Sequence, residues 1–245
     1  MAETIKITEL FGANLAKLLA DKITPIYPDF DDKAFIKVLA LRTQGMNYTR
    51  RIEIIAEELR NFLPADYSDA LGVLMQILGP DNPNETGMFT HYYWLMPVGK
   101  FVQLYGLDHF NESMDAIAEI TKRNTGEYAV RPYIRRYPDR ALRRIEAWAR
   151  SENFHLRRLA SEGLRPKLPW APKLDTFIAD PQPVFAILEL LKEDPSKFVQ
   201  KSVANHLADY LKVNPEPTRQ LITQWQRSDN AITQWIIRHA TRKVQ

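Results

Sequence analysis

Apolar positions recur along this chain at intervals of three and four far more often than at intervals of two, the spacing that stacks side chains on one face of an α-helix. The stretch "LRRLASEGL" at 156–164 shows the pattern. Leu156, Leu159, Ala160, Gly163 and Leu164 form one stripe, which leaves Arg157, Arg158, Ser161, Glu162 and Arg165 expected to point away from the core. Glycine is scarce and prolines fall mostly between periodic segments. The pattern predicts helices near 7–22, 32–44, 47–62, 66–78, 93–105, 111–123, 126–136, 138–151, 154–165, 183–193, 196–212, 216–227 and 229–243. "GPDNPNETG" at 79–87 is the clearest loop, and it sets residues 1–80 apart as a candidate helical cap before a region from about 92 to 245.

The second half repeats weakly. "LRRLASEGL" aligns with "VQKSVANHL" at 199–207, 43 residues on, and less well with the segment from Trp235, a further 36 residues along. Helix pairs at that period suit HEAT-like repeats, in which no pair buries its apolar face alone and stacked neighbours share one core. The expected fold is therefore all-α: a superhelical stack of HEAT-like antiparallel helix pairs, spanning 1–245 as a single domain with a concave basic surface. In the aligned register Glu162 corresponds to Asn205, with Asp209 one turn further along.

Composition bounds what such a scaffold does. With 245 residues, 45% of them apolar, the chain is long enough to bury a sizeable core. No run of about 18 apolar residues occurs, and acids interrupt the N-terminal stretch, so a cytoplasmic protein without membrane contact is expected. The chain has no cysteine, which excludes disulfides, cysteine–zinc sites and thiol nucleophiles together. Charge is unevenly spread: residues 1–121 hold 10 bases and 17 acids, whereas residues 122–167 hold 13 bases and 5 acids. A basic belt of this density suits a polyanion, because counterion release needs clustered charge, but it also suits a solvated face.

Within the belt, Arg158, Glu162 and Arg165 stand at i, i+4 and i+7, so a carboxylate lies between two guanidinium groups. Spacing alone leaves open a surface salt bridge or an anion placed to meet a developing cation. A second acid, Glu127, sits in "TGEYAVRPYIRRYPDRALRRIEAW" beside Tyr128, Arg131, Arg135, Arg136 and Arg143. Thr125 is a candidate cap for the helix carrying Glu127, and Pro132 should kink or restart that helix. Lys167 and Trp170 follow in "RPKLPWAPKL", where the ring either packs as a lid or stacks on a sugar or base. The phosphate-cradling, nucleophile-elbow and zinc-helix motifs are absent, and the five histidines show no metal-ligand spacing, so neither metal nor cofactor is expected.

Three stretches carry a family resemblance: "YYWLMPVGKFVQLYGLDHFNESMDAIAEITKRNTGEYAVRPYI", "RRLASEGLRPKLPWAPKL" and "DPSKFVQKSVANHLADYLKVNP". Over roughly residues 92–245 they resemble the AlkC branch of bacterial alkylpurine DNA glycosylases, which belongs with the AlkD-like helical-repeat proteins. The resemblance implies excision of N3-alkylated, and in relatives N7-alkylated, purines from double-stranded DNA by a protein that can act without flipping the lesion into a deep pocket; a monomer is expected. It places the acid of the T-[SG]-E-[FY] motif, Glu127, and that of the A-S-E-G motif, Glu162, near the lesion deoxyribose. Asp209 matches a further acidic position, and Trp170, with Tyr128, is implied to contact the lesion sugar. On that reading Glu162 stabilises the charge and positions water, with Glu127 assisting. Arg131, Arg135, Arg136, Arg143, Arg158, Arg165 and Lys167 would then follow the DNA backbone. Many AlkC relatives carry an additional C-terminal immunoglobulin-like domain, whereas this sequence ends at "RHATRKVQ", so the repeat module is expected to stand alone. The alternative is a noncatalytic repeat module that binds DNA structures or a protein partner, since helical repeats accept unrelated ligands.

Overall fold

The computed structural model describes residues 6–87 and 89–242. Lys243, the last residue of the helix expected over 229–243, lies outside them. Among the described residues the chain is built from helices and turns alone, in two compact units, Met1–Ala129 and Val130–Gln245.

The first unit carries α1 (Ala13–Ile23), α2 (Asp32–Arg42), α3 (Tyr48–Phe62), α4 (Tyr67–Gln76), α5 (Met96–Tyr105) and α6 (Phe110–Thr121). Helices α1 and α2 pack together, as do α3 and α5, around fully buried Leu15, Leu19, Phe35, Leu39, Ile55 and Phe101. The 79–87 loop lies inside this unit and is tied down by Asn82, whose backbone N–H donates to the Lys122 carbonyl at 3.0 Å.

The second unit carries α7 (Arg131–Arg136), α8 (Pro138–Ala149), α9 (Phe154–Glu162), α10 (Asp175–Ala179), α11 (Gln182–Leu191), α12 (Lys197–Val213), α13 (Pro215–Trp225) and α14 (Ala231–Thr241). The pairs α8/α9, α11/α12 and α13/α14 are HEAT-like repeats, and their second helices lie side by side, α12 between α9 and α14. These are the three segments whose sequences repeat.

Local chemistry explains the starts. Asn153, Ser196 and Asn230 accept backbone N–H bonds at the N-termini of α9, α12 and α14, while α8, α11 and α13 begin with proline in the first turn, where its missing N–H is harmless.

The helix expected over 126–136 begins only at Arg131, with Pro132 in its first turn. Further inside a helix Pro132 would clash with the carbonyl four residues back, so the chain turns through 127–130 instead. Thr125 therefore does not cap a helix that carries Glu127. The five-residue α10 was too short to leave a periodic signal.

Candidate active site

Helix α9 contacts α8 on one side and α12 on the other, so more than one stripe of it is covered. Ser161 and Glu162, expected on its outer face, are consequently buried, Glu162 at 6% exposure. The residues that meet them come from α12 at the spacing already seen on α9. Ser202, His206 and Asp209 stand at i, i+4 and i+7, facing Arg158, Glu162 and Arg165.

The two carboxylates share one guanidinium. Arg165 Nη1 donates to Glu162 Oε1 at 2.6 Å, while Nε and Nη2 reach Asp209 Oδ2 at 2.8 and 2.6 Å. Charge-assisted contacts on both edges of one planar fork fix its orientation as well as theirs. Arg158 lies 3.9 Å from Glu162 Oε2 and stacks over the Phe198 ring, its guanidinium carbon 4.6 Å from the centroid. Burial pushes the Glu162 carboxyl upward, but Arg158, Arg165 and the Ser202 hydrogen bond more than offset it, and the group is held below the usual carboxylate range.

Behind Glu162 runs a buried hydroxyl chain. Ser202 Oγ is 2.6 Å from Glu162 Oε2 and 3.0 Å from Ser161 Oγ, which in turn is 3.4 Å from His206 Nδ1. Ser202 has a single proton, and the carboxylate takes it. Ser161 must therefore be the donor to Ser202, and His206 donates from Nδ1. That tautomer leaves Nε2 of His206 a lone pair without a hydrogen-bond partner, in a ring that is fully buried and stacked on Tyr210 with centroids 5.3 Å apart.

Burial, reinforced by the charge of Arg165, pushes the His206 imidazole down to about 3. A base with a lowered folded pKa contributes stability that is complete above its unfolded value of about 6.5 and is lost as pH falls toward the folded one. By pH 5 the loss attributable to His206 is about 2 kcal/mol. Urea unfolding of wild type and His206→Gln from pH 7.5 to 5 checks this: the variant should lack that share of the acid sensitivity, and parallel curves would contradict it.

Trp170 is 82% exposed and is the one non-glycine residue among the described ones with positive φ, at 60°. Left-handed backbone costs a bulky residue about 1–2 kcal/mol, so neither burial nor comfort explains the side chain. Trp170→Gly should leave the thermal midpoint unchanged or raise it, whereas a packing tryptophan would lower it by several degrees.

The remaining expected site residues are dispersed. Arg136, Arg143 and Lys167 are exposed, and so is Arg135, which donates to the Lys173 carbonyl at 2.6 Å. Arg131, expected to follow the DNA backbone, is instead an internal residue, 2% exposed. Its guanidinium donates to the carbonyls of Gly163 and Arg165 at 3.3 and 2.9 Å and to that of Pro172. Glu127 and Tyr128 belong to the first unit, Glu127 buried and Tyr128 half-buried, in the turn after α6. Gly126 permits that turn, since a Cβ there would collide with the Thr121 hydroxyl and with Ile117.

The sequence reading missed Ser202 and the role of His206. Their signal was polar residues at i, i+4 and i+7 on an otherwise apolar face, with the same spacing as the arginine–glutamate row.

No helix among the described residues is long and apolar enough to cross a membrane, and no group of three or more histidine, aspartate or glutamate side chains among them could hold a metal ion.

The fold and site together define a class of protein, a helical-repeat scaffold that holds two carboxylates on one arginine. Residues 115–244 match the family model described as DNA alkylation repair enzyme, and the chain belongs to that family. It is 35% identical over 239 residues to the uncharacterized protein YhaZ of Bacillus subtilis, covering 97% of this chain and 64% of YhaZ. It is also similar to the Pseudomonas fluorescens alkylpurine DNA glycosylase AlkC, solved bound to DNA containing an abasic site analog. That match has a TM-score of 0.85 and 33% identity, and covers 98% of this chain and 64% of AlkC. The chain thus spans a little under two thirds of the length of each.

Proposed function

We propose that this protein is an alkylpurine DNA glycosylase that hydrolyses the N-glycosidic bond of N3-alkylated, and of N7-alkylated, purines in duplex DNA. The observation that carries the reading is the Glu162–Arg165–Asp209 bridge, which keeps two acids in fixed geometry on a chain whose basic belt spans residues 122–167. Membership of the DNA alkylation repair family and similarity to a glycosylase solved on abasic-site DNA support it.

An N3- or N7-alkylated purine is already cationic and leaves as a neutral base, so the leaving group needs little acid catalysis. Positive charge gathers instead on the deoxyribose as the bond breaks. A carboxylate that is already ionised and oriented stabilises that charge without reorganising, and a neighbouring acid positions the water. Asp209, half-buried, is the better placed to meet the sugar. Glu162, deeper and hydrogen-bonded by Arg165 and Ser202, holds the shared arginine and adds its field. Glu127 enters through its motif as an assisting acid, and Trp170 stacks at the lesion sugar. Arg135, Arg136, Arg143, Arg158 and Lys167 supply the phosphate track.

The burial of Glu162 against Arg165 and Ser202 also suits a second reading, a noncatalytic DNA-binding module in which the acids are only structural. Incubation with duplexes containing 3-methyladenine, 7-methylguanine or no lesion separates the two. Release of a methylated base, and none from the undamaged duplex, is expected. Salt-sensitive binding by folded protein with no release would favour the binding module.

A further inference from the structure

We propose that Arg131 is a positioning residue that presents Trp170 by locking both arms of its loop; the inference rests on the reading that Trp170 meets the lesion sugar. The loop from Gly163 to Leu174 contains Pro166, Pro169 and Pro172, which have no N–H to donate. Only two of its backbone contacts close it internally, Leu174 N–H to the Pro166 carbonyl at 3.2 Å and Ala171 N–H to the Leu168 carbonyl at 3.1 Å. A loop so poor in donors would not by itself hold an exposed tryptophan at positive φ.

Helix α7 supplies what is missing. From its first turn, Nη1 of Arg131 donates to the carbonyls of Gly163 and Arg165 on the incoming arm, and Nη2 to that of Pro172 on the outgoing arm. The incoming carbonyls follow the C-terminus of α9, where helix geometry leaves acceptors unpaired and favours a cation. One turn later, Arg135 donates to the Lys173 carbonyl beside Pro172. A planar guanidinium reaches both arms at once, whereas a lysine ammonium offers one point of attachment. The strain at Trp170 is thus maintained from below by a buried cation, so the ring is fixed before DNA arrives rather than ordered by it.

Arg131→Lys and the peripheral Arg135→Ala test this, each made in wild-type and Trp170→Ala backgrounds. Without DNA, trypsin should cleave after Lys167 or Lys173 at least about tenfold faster in Arg131→Lys and a few-fold faster in Arg135→Ala, with circular dichroism unchanged. With lesion duplex, the single-turnover rate constant for base release should fall about tenfold in Arg131→Lys, while the Kd for undamaged duplex stays within twofold. In the Trp170→Ala background the Arg131→Lys loss should shrink below twofold, because the two residues act as one unit.

Unchanged loop cleavage, or an equal loss in both backgrounds, would overturn the proposal. If Arg131→Lys fails to fold, the trypsin comparison between wild type and Arg135→Ala still judges the clamp, because faster loop cleavage in that variant is expected whatever its affinity for DNA. If wild-type protein releases no base, the proposed glycosylase function fails while the cleavage result still judges the clamp.

Discussion

Arg165→Met should cost about 3–5 kcal/mol of stability, because it leaves two partly or fully buried carboxylates without their shared cation. Methionine matches the aliphatic stem, so the loss is electrostatic rather than a cavity. For Glu162 the balance then reverses. Burial already opposes its charge, and with Arg165 gone only Arg158, at 3.9 Å, and Ser202 remain against it, so the carboxyl rises above the usual range.

The sign of the pH dependence follows. In wild type the lowered pKa of Glu162 contributes stability above the unfolded value of about 4.3, lost as pH falls through the folded one. In the variant a raised pKa contributes stability at low pH that is lost as pH climbs through it. Urea midpoints at pH 7 and pH 5 should show the penalty of Arg165→Met shrinking toward acid. A penalty under about 1 kcal/mol at pH 7 would show the bridge to be an ordinary surface ion pair.

Asp209→Asn is expected to be nearly neutral for folding and severe for excision. A full negative charge about 4 Å from the developing deoxyribose cation is worth about 4 kcal/mol at an effective dielectric near 20, which is about a thousandfold in rate. Asparagine keeps the shape and leaves Arg165 paired with Glu162. Binding should move the other way, since removing an acid from a phosphate-facing surface strengthens attraction to DNA. Single-turnover base release, alongside anisotropy titrations at fixed salt, separates the two effects. Weakened binding with an unchanged rate would assign Asp209 to DNA positioning instead of charge stabilisation.

Helical character was legible because 3.6-residue periodicity ran through almost every segment, and the repeat at 156–164, 199–207 and 235 onward marked the second helix of each pair. What spacing could not show was coverage. A nine-residue α9 wedged between α8 and α12 buries Ser161 and Glu162, although the pattern of leucines on one face made them look solvated.

The arginine–carboxylate row was visible within α9, but its partner row on α12 has the same spacing 44 residues away, and nothing local pairs Arg165 with Asp209. Arg131 misled for a related reason. Clustered bases read as a phosphate track, yet one of them turned inward to serve the carbonyls of a loop too rich in proline to serve itself. The strain at Trp170 left no trace in the sequence, because proline on its N-terminal side says nothing about a positive φ.

The most direct test of a pre-ionised Glu162 beside the sugar-facing acid is the single-turnover rate of base release from a 3-methyladenine duplex by wild-type protein between pH 8 and pH 5. With Glu162 held below the usual carboxylate range, the folded protein should release the base at a rate constant that stays flat across that window. A rate that climbs steadily toward acid would mean that a protonated group drives departure of the base, and no release at any pH would contradict the account at its root.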